Sequence, residues 1–178
     1  MEYRILRSRR KSIAIEITPR GELLVRAPSR MPKRDILRFL ESRQDWITHH
    51  LSKIPDVVPL TPEEHSDLIR AAKLSLPSKA DSYAKQLGVT FGHITIRSQK
   101  TRWGSCSAAG NLSFNCLLML APEEVQNYVV VHELCHRKQM NHSPLFWAEV
   151  EQILPDYRVQ RTWLKEHGTS LLARFPLS

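Results

Sequence analysis

The segment VVVHELCH, residues 129–136, constrains this chain more than any other. Val129, Val130, Val131, Leu134 and Cys135 make a helix there apolar on most sides, and such a helix belongs in a core. Yet the same eight residues hold His132, Glu133 and His136. Buried polar groups without partners are costly, so the fold must supply a partner. The spacing indicates a metal. His132 and His136 are four residues apart, one turn along one helical face. Two imidazole nitrogens so placed can reach a single zinc ion at about 2.1 Å. Glu133, beside the first of them, can act on water at the metal without binding the metal itself. The pattern is HExxH.

Catalytic zinc keeps three protein ligands and one open position. His142 is the expected third ligand, six residues past His136 in the loop after the helix. Ser143-Pro144 then caps and starts a further helix. A carboxylate from that helix, Glu149 or Glu151, is the competing third ligand. The spacing HExxH-x5-H is not the metzincin pattern, so Met140 is read as helix packing rather than as the methionine of a Met-turn.

The rest of the chain reads as mixed α and β. SIAIEIT at 12–18 alternates with period two, and ELLVRAP at 22–28 follows the turn Pro19-Arg20-Gly21, so 3–28 is expected to be a hairpin or meander. A helix with apolar Ile36, Leu37, Phe39, Leu40, Trp46 and Ile47 should run from Pro32 to about His50, followed by a loop with Pro55 and Pro59. Thr61-Pro62-Glu63-Glu64 has the form of a capping box with proline in the first turn. The helix it opens should reach Leu87-Gly88, kinked or interrupted at Pro77. HITIRSQ at 93–99 is a strand. Residues 105–115 form a hairpin turning at Gly110-Asn111. Pro122-Glu123-Glu124 opens the histidine helix, in which the motif is placed mid-helix. A last helix covers about 157–167. The expected division is 1–60, a β-hairpin plus helix subdomain, and 61–178, the domain holding the motif, together one compact unit.

Composition narrows the class further. The chain has 178 residues, 42% of them hydrophobic and 25% charged, an ordinary globular mix. No run approaches the ~20 apolar residues of a membrane span, and the N-terminus lacks the apolar core of a signal peptide. Cys106, Cys116 and Cys135 are odd in number and form no CxxC pair, so they are expected to be reduced thiols in a cytoplasmic protein. The formal charge of +8 is uneven: residues 1–50 hold 12 Lys+Arg against 6 Asp+Glu, the remainder 14 against 12. Arg7, Arg9, Arg10 and Lys11 are the candidate contacts if this basic third meets DNA or RNA; otherwise the excess is a solvated face.

Two stretches, SQKTRWGSCSAAGNLSFN and LAPEEVQNYVVVHELCHRKQMNHSPLFW, resemble the YgjP-like zinc metallopeptidases, relatives of the SprT-like and WLM proteases. The resemblance covers most of the chain and is strongest from about 94 to 155. It implies zinc on His132, His136 and His142, with Glu133 catalytic. It also implies a zincin-like α+β fold: a small antiparallel sheet packed on the HExxH helix. Within TRWGSCS, Trp103 is expected beside the zinc helix and Gly104-Ser105 at a tight bend. Arg102 is read as a surface arginine, with a substrate carboxylate or the oxyanion as its alternative partner. The 105–115 hairpin is the candidate edge for pairing with an extended substrate. Cys106 has no evident base and is not read as a nucleophile; an occasional inhibitory bond to zinc is a weak alternative for it.

The function expected is zinc-dependent peptide hydrolysis with Glu133 as general base and a peptide or protein as substrate. The alternative is a nucleic-acid-associated zinc protein that docks through its basic N-terminal third, its peptidase activity regulated or absent. A zinc-stabilised module without turnover fits less well, because a structural site needs neither a base nor an open position.

Overall fold

The computed structural model describes residues 3–18, 21–52 and 57–175. The chain separates into two compact units, Met1–Val57 and Val58–Ser178.

In the first unit, β1 (Tyr3–Ser8), β2 (Ala14–Ile17) and β3 (Leu23–Pro28) form a sheet in the order β1-β3-β2. β2 and β3 make the expected antiparallel hairpin. β1 is not a meander strand, because it pairs parallel to β3, Tyr3 opposite Leu23. Period-two alternation shows which residues share a face but not the direction of pairing. Leu23, Val25 and Ala27 alternate inward and pack with Ile36, Leu40 and Ile47 of the following helices. The expected single helix is two, α1 (Lys33–Glu41) and α2 (Gln44–Leu51). At the break, the Ser42 hydroxyl donates to Phe39 O at 2.8 Å, the local competition that makes serine a helix interrupter. Pro19, Arg20 and Pro55 lie outside the described residues.

The second unit holds α3 (Pro62–Leu87), β4 (Ile94–Arg97), β5 (Gly104–Cys106), β6 (Leu112–Asn115), a short 3-10 helix (Cys116–Leu120), α4 (Glu123–Cys135), α5 (Pro144–Ile153) and α6 (Tyr157–Ala173). The capping box is present: Glu64 N–H donates to Thr61 Oγ1 at 3.2 Å and Thr61 N–H to Glu64 Oε2 at 2.7 Å. α3 continues through Pro77 and ends at Gly88, whose φ of 66° is the left-handed cap glycine allows. The interruption expected at Pro77 is absent because Ala72, Leu76, Ala80, Ala84 and Leu87 bury one continuous stripe on each side of it. The sheet order is β4-β6-β5. β5 and β6 are the expected hairpin, with Gly110 at φ 84°. β4 runs parallel to β6, so the sheet is mixed rather than wholly antiparallel. The fold is α+β, with this small sheet packed on α4.

α4 is apolar almost all round, as read: Val125, Tyr128, Val129, Val130, Val131, Leu134 and Cys135 are all buried. It ends sooner than expected. His132 lies in its last turn and His136 is its C-cap, so the motif sits at the helix end. Arg137 N–H and Lys138 N–H reach back to Leu134 O (2.9 Å) and Cys135 O (3.0 Å), a three-residue closure that tightens the last turn. Ser143 begins α5 without a side-chain cap bond. α6 runs past the expected 167 because Gly168 is a packing position, not a stop.

Candidate metal centre

The end of α4, the loop after it and the start of α5 bring three imidazoles together. The candidate ligand atoms of His132, His136 and His142 all lie within 4.8 Å of one another. His132 Nε2 and His142 Nε2 are 3.0 Å apart. Two nitrogens bound at ~2.05 Å to one tetrahedral ion would sit about 3.3 Å apart, so the pair already faces a common point. The organiser is Phe146, fully buried in α5. All three histidine rings pack around it, with centroids at 4.9, 4.7 and 4.8 Å. Its role is invisible in HExxH spacing, and SPLFW after His142 was the available signal.

The donor set suits a divalent metal. His136 Nδ1 lies 3.0 Å from Gln139 O. Donation to that carbonyl leaves Nε2 bare, the usual arrangement for a ligating histidine. His132 Nδ1 is buried without a partner, so the polar company of this ring lies on its Nε2 side. Burial, then His136, His142 and Arg161, lower the His132 pKa to about 3. Burial, His136 and Arg161 also lower that of His142. Both rings are thus held neutral, the form that binds metal. The competing carboxylates are engaged elsewhere: Glu149 pairs with Lys138 at 2.8 Å and Glu151 with Arg158 at 2.6 Å.

Glu133 lines the cleft that the imidazoles share with β5, together with Arg102, Gly104, Ser105, Cys106 and Met140. It is 6% exposed. Burial pushes its carboxyl up to about 8, against an opposing pull from Arg102; a divalent cation beside it would draw it back down.

The TRWGSCS stretch builds the opposite wall. Gly104 does not form a bend. It opens β5 and makes room for Glu133, since a Cβ there would lie 2.7 Å from Glu133 Cγ and Oε1. Trp103 packs on Gly168 of α6, where an added Cβ would come 3.3 Å from the indole nitrogen. Cys106 lines the cleft with its thiol pushed up by burial. Cys106, Cys116 and Cys135 are all free. Met140 is 57% exposed at the cleft and is not a packing residue, because the helix has already ended before it.

In the first unit Arg7 is not a free cation. Its guanidinium donates to the carbonyls of Pro28, Ser29 and Met31 at 3.3, 3.1 and 2.7 Å. Arg9 and Lys11 are exposed, and Arg10 is partly buried. Among the described residues, no helix is long and apolar enough to cross a membrane.

Clustered neutral imidazoles with a buried carboxylate at their side are the equipment of a metal-dependent hydrolase. The chain belongs to the YgjP-like family: the family model, described as a YgjP-like metallopeptidase domain, matches residues 11–69 and 63–167. Its class is therefore metallopeptidase. None of the curated proteins matches its sequence. Among solved structures, it is similar to the metallopeptidase zymogen abylysin of Pyrococcus abyssi, at 24% identity over 57% of this chain and 99% of that one, TM-score 0.47. It is also similar to the zymogen jannalysin of Methanocaldococcus jannaschii, at 20% identity over 50% of this chain and 95% of that one, TM-score 0.44.

Proposed function

We propose that this chain is a zinc-dependent peptidase, with His132, His136 and His142 as ligands and Glu133 as general base. The observation that carries the reading is that the three imidazoles face one point while a buried carboxylate enters the same cleft from the neighbouring position of α4. Zinc there would supply Lewis acidity, acidifying water and polarising the scissile carbonyl. Glu133 accepts the proton of the attacking water and passes it to the departing nitrogen. Gly104 lets that carboxylate lie against β5, and Phe146 keeps the three rings in register. β5 is an edge strand beside the cleft. Its free backbone groups can pair with an extended peptide and hold the scissile bond over the centre.

The test is Glu133→Gln. Metal content and fold should be unchanged, because Glu133 is not a ligand. Hydrolysis of a peptide library should fall by orders of magnitude. Equal hydrolysis by variant and parent overturns the assignment.

A further inference from the structure

The loop between β4 and β5 brings a cation to the metal cleft and fixes the backbone beneath it. Asn115, at the end of β6, is 1% exposed. Its side-chain amide donates to the carbonyls of Gln99 (2.7 Å) and Arg102 (2.9 Å), and its Oδ1 accepts from Leu117 N–H at 3.1 Å. Asn115 N–H also donates to Trp103 O at 2.8 Å. All of the side chain's bonds are thus spent on main chain, two residues of the loop among its partners, and the Asn115 backbone holds a third. The Trp103 indole against Gly168 pins the next position. Arg102 leaves the loop between these two anchors and lines the cleft.

Its guanidinium forms no hydrogen bond or ion pair among the described residues. Arg102 lies two residues before Gly104, the position lodged against the Glu133 side chain, and lines the same cleft. Arg161 is held 4.5 Å from the centre of the Trp147 ring, which stacks with His142. Arg102 therefore stands on the Glu133 side of the centre. If the peptidase reading holds, Glu133 gives its proton to the departing nitrogen, so the leaving segment lies on that side. Among the described residues, the only acid lining this cleft is Glu133 itself. A guanidinium presents a planar fork that matches a carboxylate with two parallel bonds. A role on the developing oxyanion would call for a position on the histidine side of the centre, whereas Arg102 is anchored next to the strand that receives Glu133.

We propose that Arg102 binds a carboxylate of the substrate on the leaving side of the scissile bond, which makes peptides carrying an acid there the preferred class. The carboxylate is either an Asp or Glu side chain or the peptide's own C-terminus. This inference rests on the peptidase reading for the direction of the substrate, but its test does not need turnover.

The probe is the full chain carrying Glu133→Gln and loaded with zinc, offered pooled N-acetylated hexapeptides. One pool is amidated and rich in Asp and Glu. A second replaces these by Asn and Gln. A third is the second with a free C-terminus. Retained peptides are quantified by mass spectrometry. One acidic pool should be retained about tenfold over the neutral amide pool, and which one identifies the source of the carboxylate. Arg102→Gln should bring that ratio close to one with zinc content unchanged, and Arg102→Lys should give an intermediate ratio. Arg43→Gln removes the same charge from a groove of the first unit, lined by Ile15, Phe39 and Trp46, and should keep the ratio. Equal retention of the pools, retention of neither, a preference that survives Arg102→Gln, or equal loss in Arg43→Gln overturns the proposal. Absence of cleavage by the zinc-loaded parent, alongside a charge-selective ratio, overturns the peptidase reading instead.

Discussion

Replacing Gly104 by alanine tests the catalytic geometry directly. The new Cβ would lie 2.7 Å from Glu133 Cγ and Oε1 and 2.9 Å from Cδ. Favourable contact between carbons begins near ~3.5 Å, so the carboxylate must retreat by about 0.8 Å. It has little solvent to retreat into, being 6% exposed. Gly104 is not among the positive-φ glycines, so alanine is acceptable to the backbone and the conflict falls on Glu133. A misplacement of about 1 Å in a catalytic group costs roughly 100-fold in rate. The overpacking should cost about 1–3 kcal/mol, at roughly 2–4 °C of Tm per kcal/mol for a chain of this size. The histidines are untouched, so zinc should stay. The assay compares kcat/KM on a quenched peptide, zinc content and thermal melts for Gly104→Ala, Glu133→Gln and the parent. A Gly104→Ala enzyme with parental kcat/KM and Tm would show that the Glu133 carboxylate is not lodged against β5. Loss of zinc would show that the position supports the ligands rather than the base.

His142→Ala should lose its metal to a chelator far more readily than the parent, beyond the roughly 10–100-fold typical of residues that only orient a ligand. Glu149→Ala and Glu151→Ala should hold theirs, because those carboxylates are occupied by Lys138 and Arg158; zinc retention by His142→Ala with loss in a glutamate variant would replace the three-histidine set. At the start of α3, hydrogen bonds from Thr61 hold the Glu64 pKa below 4.5. The folded-state value is the depressed one, so this stabilisation is present above pH 4.5 and is lost as pH falls through the folded value. Glu64→Gln should flatten that part of the acid limb in thermal melts, and Thr61→Ala should cost about 1 kcal/mol at neutral pH.

The parts legible in the sequence are those carried by short spacing. His132, Glu133 and His136 declare themselves within five residues, and the buried character of α4 follows from its valines. The capping box at Thr61 and the turn at Gly110 are local chemistry and appear where expected. What the sequence conceals depends on distant pairs or on direction. The contact of Gly104 with Glu133 joins residues 29 apart, and a glycine in a strand reads first as a bend. The parallel pairing of β1 with β3 and of β4 with β6 leaves no mark on alternation. The end of α4 at His136 carries no glycine or proline, so the apolar pattern overran it. Pro77 reads as a kink or interruption because proline's helix-breaking tendency is local, whereas the stripe of buried alanines and leucines that carries the helix past it depends on tertiary packing.

The bonds that steady this centre have a consequence for mutagenesis. His136 leans on the carbonyl of Gln139, and Asn115 grips the carbonyls of Gln99 and Arg102. In each case the partner contributes its main chain, which every amino acid possesses. An alanine scan would therefore pass over positions 99 and 139 as though they were idle and register only Asn115 and His136. The bonded carbonyls at 99 and 139 persist whatever side chain those positions carry. The irreplaceable information is concentrated in one asparagine, whose short amide reaches two carbonyls and one N–H that aspartate or glutamine could not satisfy together.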